Sequence, residues 1–273
     1  MCKVLGVSTS GYYAYLKRPK KQTTKKQKKE LQQIKRVYKK YGGTYGAKRI
    51  AQVLKAKNVI INHKKVARLM RESNLKAKVR QKKATHLTKK QATGFVYSNL
   101  LDRNFEASHP NQKWVTDMTE VEIDSVKLYI STIMDLFNRE IIAFKCGFSP
   151  NQQLIEETII AAKMKRKLST LENVLLHSDQ GSVYRSANYH MLSKRLKFIP
   201  SMSRKANCWD NAVIESFFSQ LKTEFPHFYP TTNLVQVQLD FKKYIRFYNE
   251  ERIQKKMGYA SPKEYHKRYL HAI

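Results

Sequence analysis

At Lys113 the hydrophobic period of the chain changes, and no other feature of its 273 residues constrains the fold as tightly. From there three runs, residues 114–123, 126–135 and 140–148, read as short strands rich in β-branched and aromatic side chains. Asp124-Ser125 and Phe137-Asn138-Arg139 supply turn chemistry between them, so the runs predict a meander. Helix and strand patterns then take turns: a helix over 151–165, a strand at 173–177, a helix near 186–195, a short strand at 197–201 and a helix opening at Asn211. Strands first and alternation afterwards predict an α/β unit, a mixed sheet with helices on its faces. A last amphipathic helix over 232–249 carries Leu234, Val237, Phe241, Ile245 and Tyr248 at helical spacing, a stripe suited to core packing.

Ahead of Lys113 the pattern is helical and basic. Ser8 or Ser10 caps a first short helix, and a second runs over 26–40 until Tyr41-Gly-Gly-Thr-Tyr-Gly46 breaks it. A third over 47–57 turns Ile50, Val53 and Leu54 to one face, and Asn62 caps a fourth carrying Val66, Leu69 and Met70. Helix, glycine turn and helix outline a helix-turn-helix unit, whose expected exposed cations are Lys48, Arg49, Lys64, Lys65, Arg68 and Arg71. The first 100 residues hold 28 Lys and Arg against Glu30 and Glu72, a net +26; the other 173 hold 25 cations and 19 acids, a net +6. Charge placed so unevenly points to nucleic acid at the front, because each neutralised phosphate releases condensed counterion.

Residues 76–93 are polar and lysine-rich without an apolar period, which reads as a linker able to track phosphates. The expected organisation is a basic helical DNA-binding domain over 1–75, a basic linker over 76–108, a catalytic core over 109–228 and a helical extension over 229–273. Cys2, Cys146 and Cys208 are odd in number and lack paired spacing, so neither a disulfide framework nor a zinc site is indicated. No apolar run approaches the ~20 residues that a bilayer crossing needs, and a reducing cytoplasm is the expected setting.

Three carboxylates stand where ordinary solvated acids do not. Asp117 lies inside the apolar strand Trp-Val-Thr-Asp-Met-Thr, and Asp179 follows Val-Leu-Leu-His-Ser at the carboxyl end of a strand, where such sheets place ligands. Glu215 sits one turn into the helix that Asn211 opens, about 100° around from the face of Ile214, Phe217, Phe218, Leu221 and Phe225, and Lys222 falls near the same line. Acids brought together repel one another, and hard divalent cations with oxygen ligands resolve the repulsion. Two Mg²⁺ ions about 4 Å apart, with Mn²⁺ as a substitute, would serve phosphoryl transfer without a covalent enzyme intermediate.

These segments resemble the retroviral-integrase-like transposases encoded by the second reading frame of bacterial insertion sequences, the IS-three family. The likeness rests on Asn111-Gln-Lys-Trp-Val-Thr-Asp-Met-Thr, on His177-Ser-Asp-Gln-Gly-Ser-Val-Tyr, on Asp210-Asn-Ala-Val-Ile-Glu-Ser-Phe-Phe, and on the 35 residues between Asp179 and Glu215. It extends to Tyr45-Gly-Ala-Lys-Arg-Ile, Lys65-Val-Ala-Arg-Leu-Met, Asn99-Leu-Leu-Asp-Arg, Tyr248-Asn-Glu-Glu-Arg and Ser261-Pro-Lys-Glu-Tyr. The resemblance implies a ribonuclease H-like catalytic fold, metal held by Asp117, Asp179 and Glu215, and Lys222 against transposon-end DNA. It also implies cleavage at a transposon terminus and attack of the freed 3′-OH on another phosphodiester, by a homo-oligomer paired on DNA. Relatives obtain a further recognition region by frameshift fusion to an upstream reading frame. Gln254 and Met257 depart from the family's usual tail, which has His and Leu there.

Neighbouring residues have plainer readings. His177 is expected to be a hydrogen-bonded structural residue, Asp135 an ion pair or cap near Arg139, and Trp114 and Trp209 core packing, with stacking on a base the alternative for Trp209. The rival to the enzyme is a catalytically inactive DNA-binding regulator, for which three mutually repelling acids would have no use.

Overall fold

The computed structural model describes residues 2–17, 24–79, 94–205, 207–230 and 234–271. Its front consists of helices α1 (Thr9–Lys17), α2 (Lys25–Lys40), α3 (Ala47–Lys55) and α4 (His63–Glu72). Local chemistry sets their starts. Thr24 and Gln27 form a capping box at α2, the Thr24 hydroxyl accepting from the Gln27 N–H at 3.2 Å. Asn62 caps α4, its Oδ1 accepting from the Lys64 N–H at 2.9 Å. Ile34, Val37, Tyr45, Ile50, Leu54, Val66 and Leu69 close one core among α2, α3 and α4, whereas α1 buries none of its residues. The turn between α2 and α3 needs glycine: Gly43 has φ +75°, and a Cβ there would stand 3.0 Å from the Tyr38 ring.

The expected mixed sheet follows, with strands β1 (Lys113–Ile123), β2 (Val126–Asp135), β3 (Ile141–Gly147), β4 (Leu175–Ser178) and β5 (Ile199–Met202) in the order β3-β2-β1-β4-β5. The first three pair antiparallel as the meander; β4 and β5 join parallel beside β1. Alternate residues of each strand feed two cores. Trp114, Ile133 and Leu176 pack under α5 (Gln152–Lys165) and α6 (Ala187–Leu196) on one face. Val115, Leu128 and Ile141 pack under α7 (Ala212–Phe228) and α8 (Leu234–Glu250) on the other. A last helix, α9 (Pro262–Leu270), sets Tyr265 and Tyr269 against Phe137. Residues 80–93 of the expected linker, and Thr232 at the expected start of α8, lie outside the described residues.

Candidate active site

The strand register carries Asp117 to the side of Asp179. β1 and β4 run parallel with Val115 opposite His177, and two residues further on stand Asp117, within β1, and Asp179, just past the end of β4. The period of two places both on the face of Val115 and Leu175, the face that α7 covers. α7 buries Ile214, Phe217 and Leu221 against the sheet and leaves Glu215 exposed and Lys222 half-buried on its edge. Asp179 and Glu215 thus stand near enough to Asp117 to act on its carboxyl at one end of the sheet.

Their shared field is strong. The Asp117 carboxyl is pushed up to about 8, first by burial, then by Asp179 and more weakly by Glu215, against the opposing Met118 N–H at 2.7 Å and Lys222. Asp179 is fixed by the Gly181 N–H, which donates to Oδ1 at 2.8 Å, and a Cβ on Gly181 would meet that oxygen at 2.9 Å. Tyr184 is buried beneath the pair, its hydroxyl 3.3 Å from Thr116 Oγ1; burial raises its pKa, and Asp117 and Asp179 contribute.

The donor set suits a hard divalent cation, because all three groups are carboxylates and no protein cation forms an ion pair with Asp117 or Asp179 among the described residues. Asn211, one turn before Glu215, is buried with neither amide atom hydrogen-bonded, so it offers a further oxygen and a donor beside the acids. Among the described residues no three His, Cys, Asp or Glu side chains close on one point at ligand distance. The acids share a field, not a finished coordination sphere.

A second feature carried no expectation: the clamp at the entrance to α7. Asp210 is fully buried and accepts from Arg204 (backbone N–H at 3.0 Å, Nε at 2.8 Å, a terminal nitrogen at 2.7 Å), from Arg103 Nε at 2.8 Å and from Asn99 Nδ2 at 3.1 Å. These partners, the Arg204 hydrogen bonds foremost, hold its carboxyl well below the usual carboxylate range. The segment before β1 is tied in as well, since the Leu100 and Leu101 N–H groups both donate to Ser201 Oγ. The run Asn99-Leu-Leu-Asp-Arg was the available signal, yet nothing local in it names Asp210 as the partner.

Other expectations divide. His177 is the buried structural residue foreseen, its Nδ1 2.9 Å from Ser201 Oγ and its pKa lowered by burial to about 4. Trp114 is buried, but Trp209 is 69% exposed, because the tight turn that pulls Asp210 inward points its neighbour outward. Asp135 is ion-paired, yet with Arg166 at 3.2 Å and not with Arg139. Asn211 precedes α7 without capping it through its side chain.

Among the front's cations, Lys48, Lys64, Arg68 and Arg71 are exposed. Arg49 and Lys65 are not on that surface as expected. Lys65 is half-buried against Glu30 at 2.6 Å, and Arg49 is turned inward over the Tyr45 ring, 5.2 Å from its centroid.

Comparison with known proteins gives the family. The family described as "Integrase core domain" matches residues 107–208, a second family of the same description matches 196–262, and "HTH-like domain" matches 25–83. The chain is 38% identical to InsK of insertion sequence element IS150 from Escherichia coli, over 85% of this chain and 81% of that protein. It is 35% identical to the transposase InsF of IS3A from the same organism, covering 83% and 78%, and 33% identical to the IS904 transposase of Lactococcus lactis, covering 92% and 98%. Among solved structures it is similar to the HTLV-2 integrase catalytic core domain in complex with magnesium, with 12% identity and a TM-score of 0.47 over 57% of this chain and 97% of that one. With an integrase core behind an HTH-like front, the chain belongs to the transposases of IS3-family insertion sequences.

Proposed function

We propose that this transposase cuts one strand at the end of its element and joins the freed 3′-OH to another phosphodiester, with Asp117, Asp179 and Glu215 as its catalytic, metal-holding residues. What supports the reading is the placing of three acids toward one end of the sheet, from β1, the turn after β4 and α7, with Asp117 raised to about 8 by burial and then by the repulsion of Asp179 and Glu215. Cores of this integrase-like family use divalent metal; here two Mg²⁺ ions, or Mn²⁺ in their place, are the proposed occupants. When bound they would activate the attacking oxygen and stabilise the leaving one.

The chain's own groups supply the rest. The Gly181 N–H fixes the rotamer of Asp179, and Met118 does the same for Asp117 through its own N–H. Lys222 brings positive charge to the acids and would hold a phosphate of the terminal DNA there. The clamp at Asp210 orients the start of α7 and so the reach of Glu215. Lys48, Lys64 and Arg68 on the helical front offer phosphate contacts, and Lys65 adds charge behind them despite its ion pair. Two ends must be paired for joining, which calls for a homo-oligomer on DNA; the upstream reading-frame product is the proposed fusion partner. The functional division follows at 1–75, 76–108, 109–228 and 229–273.

The test is to incubate the protein, alone and fused to its upstream frame, with terminal-repeat DNA and Mg²⁺, beside Glu215→Gln. Nicking and joining by the wild type and loss of both in the variant are expected. Cutting that survives the substitution would refute the site, and binding without cutting by any form would favour the inactive regulator.

A further inference from the structure

Between the helical front and α7 lies a polar cleft of about 420 Å³, lined by Arg49 and Thr44 from the front, Lys78 and Val79 after α4, Ser219, Gln220, Thr223 and Glu224 of α7, and Arg252. We infer that this cleft binds a backbone phosphate of the DNA that leaves the active site along α7. The inference rests on the DNA-transposase reading above and adds a contact to it.

Charge is the first argument. Glu224 is already neutralised: Arg252 grips both its carboxylate oxygens at 2.7 and 2.8 Å, and the Tyr244 hydroxyl donates to it at 2.9 Å. Arg49 then stands near a second guanidinium, that of Arg252, and near a carboxylate that is fully engaged. Among the described residues Arg49 has no ion pair and no hydrogen bond, only the face of Tyr45. A half-buried cation left in this state is costly, and an anion entering the cleft offsets the cost. Lys78 brings a second charge, with no ion pair among the described residues. Its Nζ lies 3.2 Å from His227 Nδ1, a ring whose pKa is lowered first by burial and then by Lys78 itself.

Hydrogen-bonding capacity is the second. Gln220 donates from Nε2 to Ser216 Oγ while its buried Oε1 has no partner. Ser219 adds a hydroxyl to the same wall, whereas the Thr223 hydroxyl already donates to the Ser219 carbonyl at 2.9 Å.

Position is the third. At 100° and 1.5 Å per residue, Ser219 lies about 40° around and 6 Å along α7 from Glu215, and Thr223 about 80° and 12 Å. At one phosphate per ~3.4 Å of strand, the cleft would receive the phosphate about two to four nucleotides from the scissile bond.

The experiment measures binding of the full chain to terminal-repeat duplex across a salt series, for wild type, Arg49→Gln and Lys78→Gln. Both variants should bind roughly tenfold more weakly, with a salt dependence shallower by about one unit of slope. Lys78 is exposed, so Lys78→Gln carries the test even where Arg49→Gln folds poorly. A steep wild-type slope retained in Lys78→Gln would overturn the inference and leave the transposase reading intact; a wild type that does not bind DNA would overturn both. Melting in inorganic phosphate distinguishes the source of the anion. A stabilisation lost in both variants, with their DNA slopes unchanged, would assign the cleft to a free anion and defeat the proposal.

Discussion

The molecule treats buried acids in two opposite ways. At the Asp210 clamp, at the Asp135 and Glu140 pair beside Arg166, and at Glu224 under Arg252, each carboxylate is matched by a guanidinium at hydrogen-bond distance. At the end of β1 and β4 the charged groups acting on Asp117 are mainly other acids, and burial together with them drives its carboxyl up to about 8. Matched acids hold the fold; unmatched ones raise its energy and are retained for something that arrives from outside. This contrast separates function from architecture more sharply than burial does, since Asp210 is the more buried residue and Asp117 the candidate catalyst.

Breaking a matched pair should cost most. Arg252→Ala strands Glu224 in the junction of α7, α8 and the front, and a loss of about 3–5 kcal/mol in denaturant unfolding is expected. Near-wild-type stability in that variant would erase the contrast. Next comes Asp210→Asn, for which a fall in melting temperature of ~3 °C near neutral pH is expected. Because the folded-state pKa of Asp210 is depressed, its stabilisation is present above about pH 4, the ordinary carboxylate value, and is lost as the pH falls further. The gap between wild type and variant should therefore close in acid, and a constant gap down to low pH would show that charge is not what the clamp uses. Smallest is Trp209→Ala, expected within about 0.5 kcal/mol of wild type because the ring is exposed. A larger loss would return Trp209 to the core.

Much of this was legible in one dimension. The period of two in β1 and β2 and the apolar stripe of α7 set the elements within a few residues, and Glu215 with Lys222 fell on the predicted edge. The convergence of Asp117 with Asp179 was not contained in their spacing; it comes from the parallel register of β1 on β4, a pairing across some 60 residues that local pattern does not encode. Arg49 was misread for a related reason. Helical period turned it away from the core of the front, but α7 and Arg252 cover that side, and only the tertiary arrangement brings them there. Trp209 was misread from its residue type, since the direction of its side chain is set by the inward pull on Asp210, whose partners come from the turn just before it and from residues 99–103.

A divalent cation is expected to complete the unmatched Asp117 and Asp179 together with Glu215, and thermal melting against Mg²⁺ in the absence of DNA tests this most directly. At a concentration about 100-fold above the dissociation constant the wild type should gain roughly 2.7 kcal/mol, seen as a rise of about 5–10 °C, while Asp117→Asn and Glu215→Gln should fold but show no such rise. A wild type indifferent to Mg²⁺, or variants stabilised as much as the wild type, would contradict the account.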